Sequence, residues 1–238
     1  MLNEQKHRLI MGEILREIYS DTTLAPNLGF KGGTCAYFFY DLPRFSVDLD
    51  FDLLSESENF DYEMVLSKIR KILEKYGTVK DARVKRFTIF ALLSYSEAEH
   101  NIKIEISIRT KLANRRAYYE MKEYAGISVL AAKKEYAFAM KLVALTQRKM
   151  LVMRDVYDIY FFAKQMWDID EEIIEIMTGK KLKEYWDDCI KAVESIKDNM
   201  ILDGLGELIN EKEKAWVKKN LKTEALFQLK NYQASIKT

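Results

Sequence analysis

Residues 30–52 read FKGGTCAYFFYDLPRFSVDLDFD, and their order decides the fold. Leu28 to Lys31 has the composition of a short strand, Thr34 to Tyr40 that of a helix, and Lys31-Gly32-Gly33-Thr34 joins the two. Asp41-Leu42-Pro43 punctuates. Ser46 to Asp52 then alternates polar and apolar residues with the period of a β-strand. That period puts Val47, Leu49 and Phe51 on the core face and Ser46, Asp48, Asp50 and Asp52 on the other. Carboxylates stacked on one strand face repel one another unless a cation stands between them. An all-oxygen donor set of this kind suits Mg²⁺ better than zinc.

This ordered combination resembles the nucleotidyltransferases of the DNA polymerase β superfamily: a Gly-Gly pair, a short helix, then an alternating hDhDh strand, here Val47-Asp48-Leu49-Asp50-Phe51. The Lys-Gly-Gly-Thr start and the Arg44-Phe45-Ser46 lead-in narrow the likeness to the AbiEii/MenT group of bacterial toxin nucleotidyltransferases. A second stretch supports it. Lys141, Leu142, Leu145 and Arg148 match that group's K-L-x-A-L-x-x-R helix, and Arg154-Asp155-Val156-Tyr157-Asp158 matches its R-D-x-Y-D motif.

The rest of the chain frames these motifs. The 38 basic and 37 acidic side chains leave a net charge of +1, so nothing global drives the protein toward nucleic acid or membrane, and any RNA contact is local. Charges interrupt Met1 to Tyr19 throughout, which excludes a signal peptide or membrane span there. Cys35 and Cys189 lie far apart and only His7 and His100 could join them, so a structural zinc site is not expected and reduced thiols in a cytoplasm are. Two prolines and nine glycines argue against long linkers.

In chain order, Leu2 to Ser20 is an amphipathic helix with Leu9, Ile10, Ile14, Leu15 and Ile18 as its apolar face. Asp61 to Tyr76 is a second, with Gly77 at its C-terminal cap. Arg83 to Tyr95 reads as one strand, and Ser96 to Asn101 turns the chain back. Ile102 to Arg109 (IKIEISIR) alternates throughout, isoleucines inward. From about Ser128 onward the apolar spacing is helical. The expected fold is therefore α+β: a polymerase β-like core with a mixed sheet over residues 1–125, then a helical lobe over 126–238 that contributes the second half of the active site.

By resemblance, Asp48 and Asp50 are catalytic and bind two Mg²⁺ ions, with Glu105 as a third metal ligand. Lys141 meets the nucleotide phosphates, and Asp155 or Asp158 completes the site. Lys31, Gly32, Gly33, Thr34, Arg44, Ser46, Arg148 and Arg154 are the nucleotide-binding candidates. Each has a plainer reading. Asp48 and Asp50 could be a solvated strand face, and Asp52 is a register alternative. Glu105 could simply pair with Lys103 or Lys85. The glycines could be a tight turn and Thr34 a helix cap, while Arg154 and Asp158, four apart, could pair on a helix surface. The C-terminal lysines read as solvated faces, and Trp167, Trp186 and Trp216 as core. The resemblance implies transfer of a nucleotidyl group from an NTP to a tRNA 3′ end by the toxin of a toxin–antitoxin pair, with an antitoxin as partner. Transfer to a protein or small molecule, and a non-catalytic nucleotide- or RNA-binding module, are the alternatives.

Overall fold

The structure is a computed structural model that describes residues 3–57, 59–97, 100–109 and 111–236. The chain divides into two compact units, Met1–Lys133 and Lys134–Thr238. In the first, helix α1 (Glu4–Ser20) leads into strand β1 (Leu28–Lys31), helix α2 (Gly32–Phe39) and strand β2 (Leu49–Leu53). Helix α3 (Tyr62–Leu73) is followed by β3 (Thr78–Lys85), β4 (Thr88–Ser94), β5 (Ile102–Ser107), β6 (Tyr119–Tyr124) and β7 (Ile127–Ala132). The seven strands form one mixed sheet in the order β3-β4-β5-β2-β1-β7-β6, with β1–β7 and β2–β5 parallel and the other pairs antiparallel.

One sheet face is apolar. Phe30, Phe51, Leu49, Ile102, Ile104, Ile106, Ile89, Ala91 and Leu93 on it are all buried. Phe38 and Phe39 of α2 close on Phe30, and α3 meets β3 and β4 with Val65, Ile69 and Leu73 buried. The other face takes the alternate, half-exposed residues, Lys31, Asp50 and Glu105, with Phe90 beyond them. Period-2 alternation thus converts directly into a sheet with one dry and one chemical face.

The second unit is helical: α4 (Lys134–Gln147), α5 (Met153–Lys164), α6 (Glu171–Thr178), α7 (Leu182–Glu194) and α8 (Glu211–Ile236), with two 3₁₀ turns before α8. Trp186 of α7 is fully buried, and its indole N–H donates to the Leu229 carbonyl of α8 at 2.7 Å. The α+β class, with a mixed sheet followed by a helical C-terminal region, is as expected from sequence.

Several local expectations are corrected. Residues 83–95 are not one strand but parts of a β3–β4 hairpin, whose turn at Arg86-Phe87 lacks the Gly or Asn that usually announces one. Residues 128–132 are strand, not helix. SVLAA is a buried apolar run, whose periodicity does not separate strand from helix, and the sheet carries on to Ala132. Its hairpin partner β6 ends at Ala125-Gly126, both with positive φ (48° and 80°), the backbone of a type I′ turn. β2 begins at Leu49, so Ser46, Val47 and Asp48 lead into it rather than belong to it. α3 ends at Leu73 with Glu74 as its cap, and Gly77 instead serves a close approach: a Cβ there would fall 2.4 Å from the Ser94 carbonyl oxygen. Leu9 is 65% exposed, so it lies off the buried face of α1. Trp167 and Trp186 are buried, whereas Trp216 is half-exposed against Tyr160. The Ser96–Asn101 turn falls partly outside the described residues, at 98 and 99.

Candidate active site

The β1–α2 junction is built for close approach. Gly32 has φ +80°, and a Cβ on it would sit 2.7 Å from Asp50 Oδ2, so only glycine fits both the backbone and the neighbour. A Cβ on Gly33 would meet the Arg44 guanidinium at 2.4 Å and Ser46 Oγ at 3.1 Å. Thr34 is buried. Its hydroxyl donates to the Asp48 carbonyl and lies 2.9 Å from Ser46 Oγ. It therefore does not cap α2, whose N-cap is Lys31 without a side-chain bond. Thr34 and Ser46 pin the segment before β2 to the first turn of α2, which fixes where Asp48 emerges. Arg44 is itself only 1% exposed and donates to the Phe45 carbonyl at 2.9 Å. His7, also buried, makes bonds to Tyr95 (2.7 Å) and to the Val47 carbonyl (3.0 Å), which brace the same segment from α1.

Three carboxylates meet on the polar face. Asp50 and Glu105 are register partners on the parallel strands β2 and β5, and Lys31 is the partner of Asp50 on β1. Lys103 binds Asp48 at 3.1 Å and Glu105 at 3.2 Å. The surface-pair reading of Glu105 thus holds for Lys103, while the same residue also lies beside the aspartates. Burial alone would lower the Lys103 pKa, but the Asp48 and Glu105 carboxylates outweigh it and hold the ammonium above its ordinary value. Burial, reinforced by Asp48, raises the Asp50 carboxyl against the opposing pull of Lys31 and Lys103. Asp52 belongs to a separate arrangement. It is buried, bonded to Lys31 Nζ at 2.5 Å and to the Tyr119 hydroxyl at 2.6 Å.

The helical unit holds its own cluster. Lys141 of α4 places its ammonium 2.7 Å from both Asp155 Oδ1 and Asp158 Oδ2 of α5. Asp155 and Asp158 are 1% and 0% exposed. Arg148 approaches Asp155 Oδ2 at 3.1 Å, though without hydrogen-bond geometry. Asp158 pairs with Lys141 rather than forming an i,i+4 surface pair with Arg154, which stays outside the cluster.

Sequence reasoning named Lys103 as a partner of Glu105 but missed its bond to Asp48, and it gave Tyr119 and His7 no place at the site. Strict alternation already put Lys103 on the face of Glu105, two residues away, but its reach to Asp48 depends on the β2–β5 pairing. Tyr119 and His7 come from distant elements and leave no local signal.

The donor chemistry fits a hard divalent cation. Among the described residues no group of three or more His, Cys, Asp or Glu side chains could hold an ion unaided. Mg²⁺ does not need one, since it is typically held by one or two carboxylates together with waters and substrate phosphates. Asp48 and Asp50 are two carboxylates of the kind such an ion takes, and Gly32 keeps the space beside Asp50 free of any side chain.

With this geometry in view, the comparisons with known proteins are informative. Residues 13–237 match the family model of the AbiEii nucleotidyl transferase toxin of type IV toxin–antitoxin systems. The structure of JHP933 from Helicobacter pylori is similar at 23% identity and a TM-score of 0.54, covering 100% of this chain and 98% of that one. A second H. pylori structure, of a putative nucleotidyltransferase, gives 23% identity and a TM-score of 0.55 over 96% and 97% of the two chains. At that identity the likeness speaks for the fold. No curated protein matches the sequence.

Proposed function

The chain belongs to the AbiEii nucleotidyl transferase toxin family, and from that premise we propose a Mg²⁺-dependent enzyme that moves a nucleotidyl group from an NTP to the 3′ end of tRNA. Nucleotidyl transfer in a toxin–antitoxin setting comes with the family. The metal, the tRNA acceptor, the cytoplasmic setting and the residue roles are our reading. The observation that carries it is the Asp48–Asp50–Glu105 group beside a glycine turn that leaves room at Asp50.

Asp48 and Asp50 would hold a pair of Mg²⁺ ions, with Glu105 in reach as a further ligand, and the ions would neutralise phosphate charge and acidify the acceptor hydroxyl. The residues of the chain bind and orient. The N–H groups at Gly32 and Gly33 open α2 and face phosphate oxygens, helped by the helix dipole. Lys31 stands across from Asp50 and serves the phosphates once its bond to Asp52 is shared. Lys103 offsets the repulsion between Asp48 and Glu105, so the strand carries an acidic face without distortion. Thr34, Ser46 and Arg44 are positioning residues for the Asp48 segment. In the helical unit Lys141 contributes to triphosphate binding, with Asp155 and Asp158 orienting its ammonium and Arg148 and Arg154 adding positive charge.

The test is incubation of the purified chain with each labelled NTP, Mg²⁺ and total RNA, with and without chelator. Label on tRNA that disappears with chelator is the expected result. Label on protein or on small molecules, or transfer that persists without metal, would overturn the corresponding part of the reading.

A further inference from the structure

The polar face of the sheet does not stop at the carboxylates. Strand registers run in one row from Lys31 through Asp50, Glu105 and Phe90 to Arg83, across five strands. With neighbouring strands about 4.8 Å apart, Phe90 lies about 10 Å from Asp50 along this row, within the reach of one or two nucleotides. Its ring is capped by Lys85, whose ammonium is 3.4 Å from the centroid. At the tip of the same hairpin Phe87 is 46% exposed. Two guanidiniums flank it, Arg86 at 4.9 Å and Arg109 at 5.6 Å from the centroid. The Phe87 carbonyl accepts from the Ile108 amide, which ties the tip to the end of β5 beyond Glu105.

The charges here are unbalanced. Arg83 is paired with Asp81 at 3.0 Å, but among the described residues Lys85, Arg86 and Arg109 have no carboxylate partner. In a chain of net charge +1, three such cations around the aromatic tip of the hairpin make a local basic patch. Cations that follow a phosphate backbone, together with a ring on which a base can stack, are the elements of single-strand recognition.

The geometry points to this hairpin, with Phe87 as stacking platform and Lys85, Arg86 and Arg109 as phosphate contacts, as the docking surface for the single-stranded end of an RNA acceptor. The inference rests on the proposed transferase reading and deepens it, because it specifies how the acceptor strand is held beside Asp50. The occupant follows from charge complementarity and from the exposed ring. An acidic peptide would satisfy the cations but not the flat face of Phe87.

The experiment measures the full chain binding a fluorescent single-stranded RNA decamer by anisotropy over a salt series, with NTP affinity by calorimetry and nucleotidyl transfer in parallel. Phe87→Ala is expected to weaken RNA binding about tenfold, and Phe87→Tyr to restore it. Arg86→Gln with Arg109→Gln is expected to reduce the salt slope by about 1.4, the single-strand value for two phosphate contacts. NTP affinity and thermal midpoint should stay at wild-type values in each variant, since these side chains are exposed. RNA affinity unchanged in Phe87→Ala, or an oligoglutamate competing as well as RNA of equal charge, would overturn the inference. If transfer is absent while RNA binding keeps its dependence on Phe87, the transferase reading fails and the platform stands. If transfer proceeds and Phe87→Ala changes neither binding nor rate, the platform fails and the transferase reading stands.

Discussion

The two charge clusters of this molecule use the same side-chain chemistry to opposite ends. In the helical unit Lys141 and Arg148 face Asp155 and Asp158, so two cations answer two buried carboxylates. In the sheet unit three carboxylates, Asp48, Asp50 and Glu105, stand beside one lysine, Lys103, which bridges Asp48 and Glu105, while Lys31 is already bonded to Asp52. The first cluster is neutral and closed. The second retains net negative charge on a half-exposed face, and Asp50, raised first by burial and then by Asp48, lies within it. A balanced buried cluster is destabilised by losing any member, whereas an unbalanced one is relieved by losing a like charge. Mutations should therefore separate a cluster that holds the fold from one that waits for a cation.

The largest effect is expected at the closed cluster. Lys141→Ala leaves Asp155 and Asp158 buried without their shared ammonium, a loss on the order of 3–5 kcal/mol for a broken buried pair. Urea unfolding should show it as a lower midpoint at unchanged slope. Lys141→Met combined with Asp158→Asn should recover part of it, since fewer charges are then left buried. Lys141→Arg should rescue only in part, because a planar fork does not reproduce a point charge between two carboxylates. If Lys141→Ala kept wild-type stability and lost only NTP affinity, the lysine would be a binding residue alone and the contrast between the clusters would collapse.

Next comes the open cluster. Asp48→Asn or Asp50→Asn should lower nucleotidyl transfer by about a hundredfold or more, roughly 2.7 kcal/mol of transition-state stabilisation. Stability should hold or rise slightly in both variants, because one like charge is removed from the face. Transfer rates and thermal midpoints measured on the same preparations test the opposite signs. Near-normal transfer in both variants would remove the carboxylates from the mechanism.

How much of this was legible beforehand depends on the range of the interactions. The strand–Gly-Gly–helix order and the alternation of IKIEISIR are local patterns, and they placed β1, α2, β5 and the shared face of Asp50 and Glu105. Turns without signature residues, such as Arg86-Phe87, and a fully apolar strand such as Val129–Ala132 carry no distinguishing period. The partners of the charges were the least readable. The bonds from Asp52 to Lys31 and Tyr119, and from Lys103 to Asp48, span from 21 to 67 residues and follow from sheet order alone. Sequence therefore supplied which side chains share a face, and topology supplied which of them are already neutralised.

A smaller effect is expected at the glycine turn. Gly32→Ala imposes a left-handed backbone on alanine, at about 1–2 kcal/mol, and drives its methyl to 2.7 Å from Asp50 Oδ2. Gly33→Ala has no positive φ to contend with and meets instead the Arg44 guanidinium and the Ser46 hydroxyl. Gly32→Ala should accordingly lower both stability and transfer, whereas Gly33→Ala should act mainly by shifting Arg44. Denaturation midpoints and KM against kcat for the two variants distinguish them. Equal losses in every parameter would mean that the turn is only a connector.

The smallest effect lies away from both clusters, where α1 meets α3, and it concerns pH. Burial would raise the Asp21 carboxyl, but Lys68 at 2.7 Å and the amides of Leu24 and Thr23 outweigh it, so its pKa is lowered. Burial likewise opposes the lowering of Glu17, which Lys75 and Tyr76 impose. Both groups bind protons more weakly folded than unfolded, where ordinary values are about 3.9 for Asp and 4.3 for Glu. Their contribution is therefore fully present above about pH 4–5 and is lost as pH falls through the lowered folded values. These side chains are partly solvated, so each pair contributes only about 0.5 kcal/mol. Asp21→Asn with Glu17→Gln should flatten the stability profile below pH 5 by that amount per pair and leave transfer at pH 7 unchanged. A variant as acid-sensitive as wild type would assign the acid response to the carboxylates of the two clusters instead.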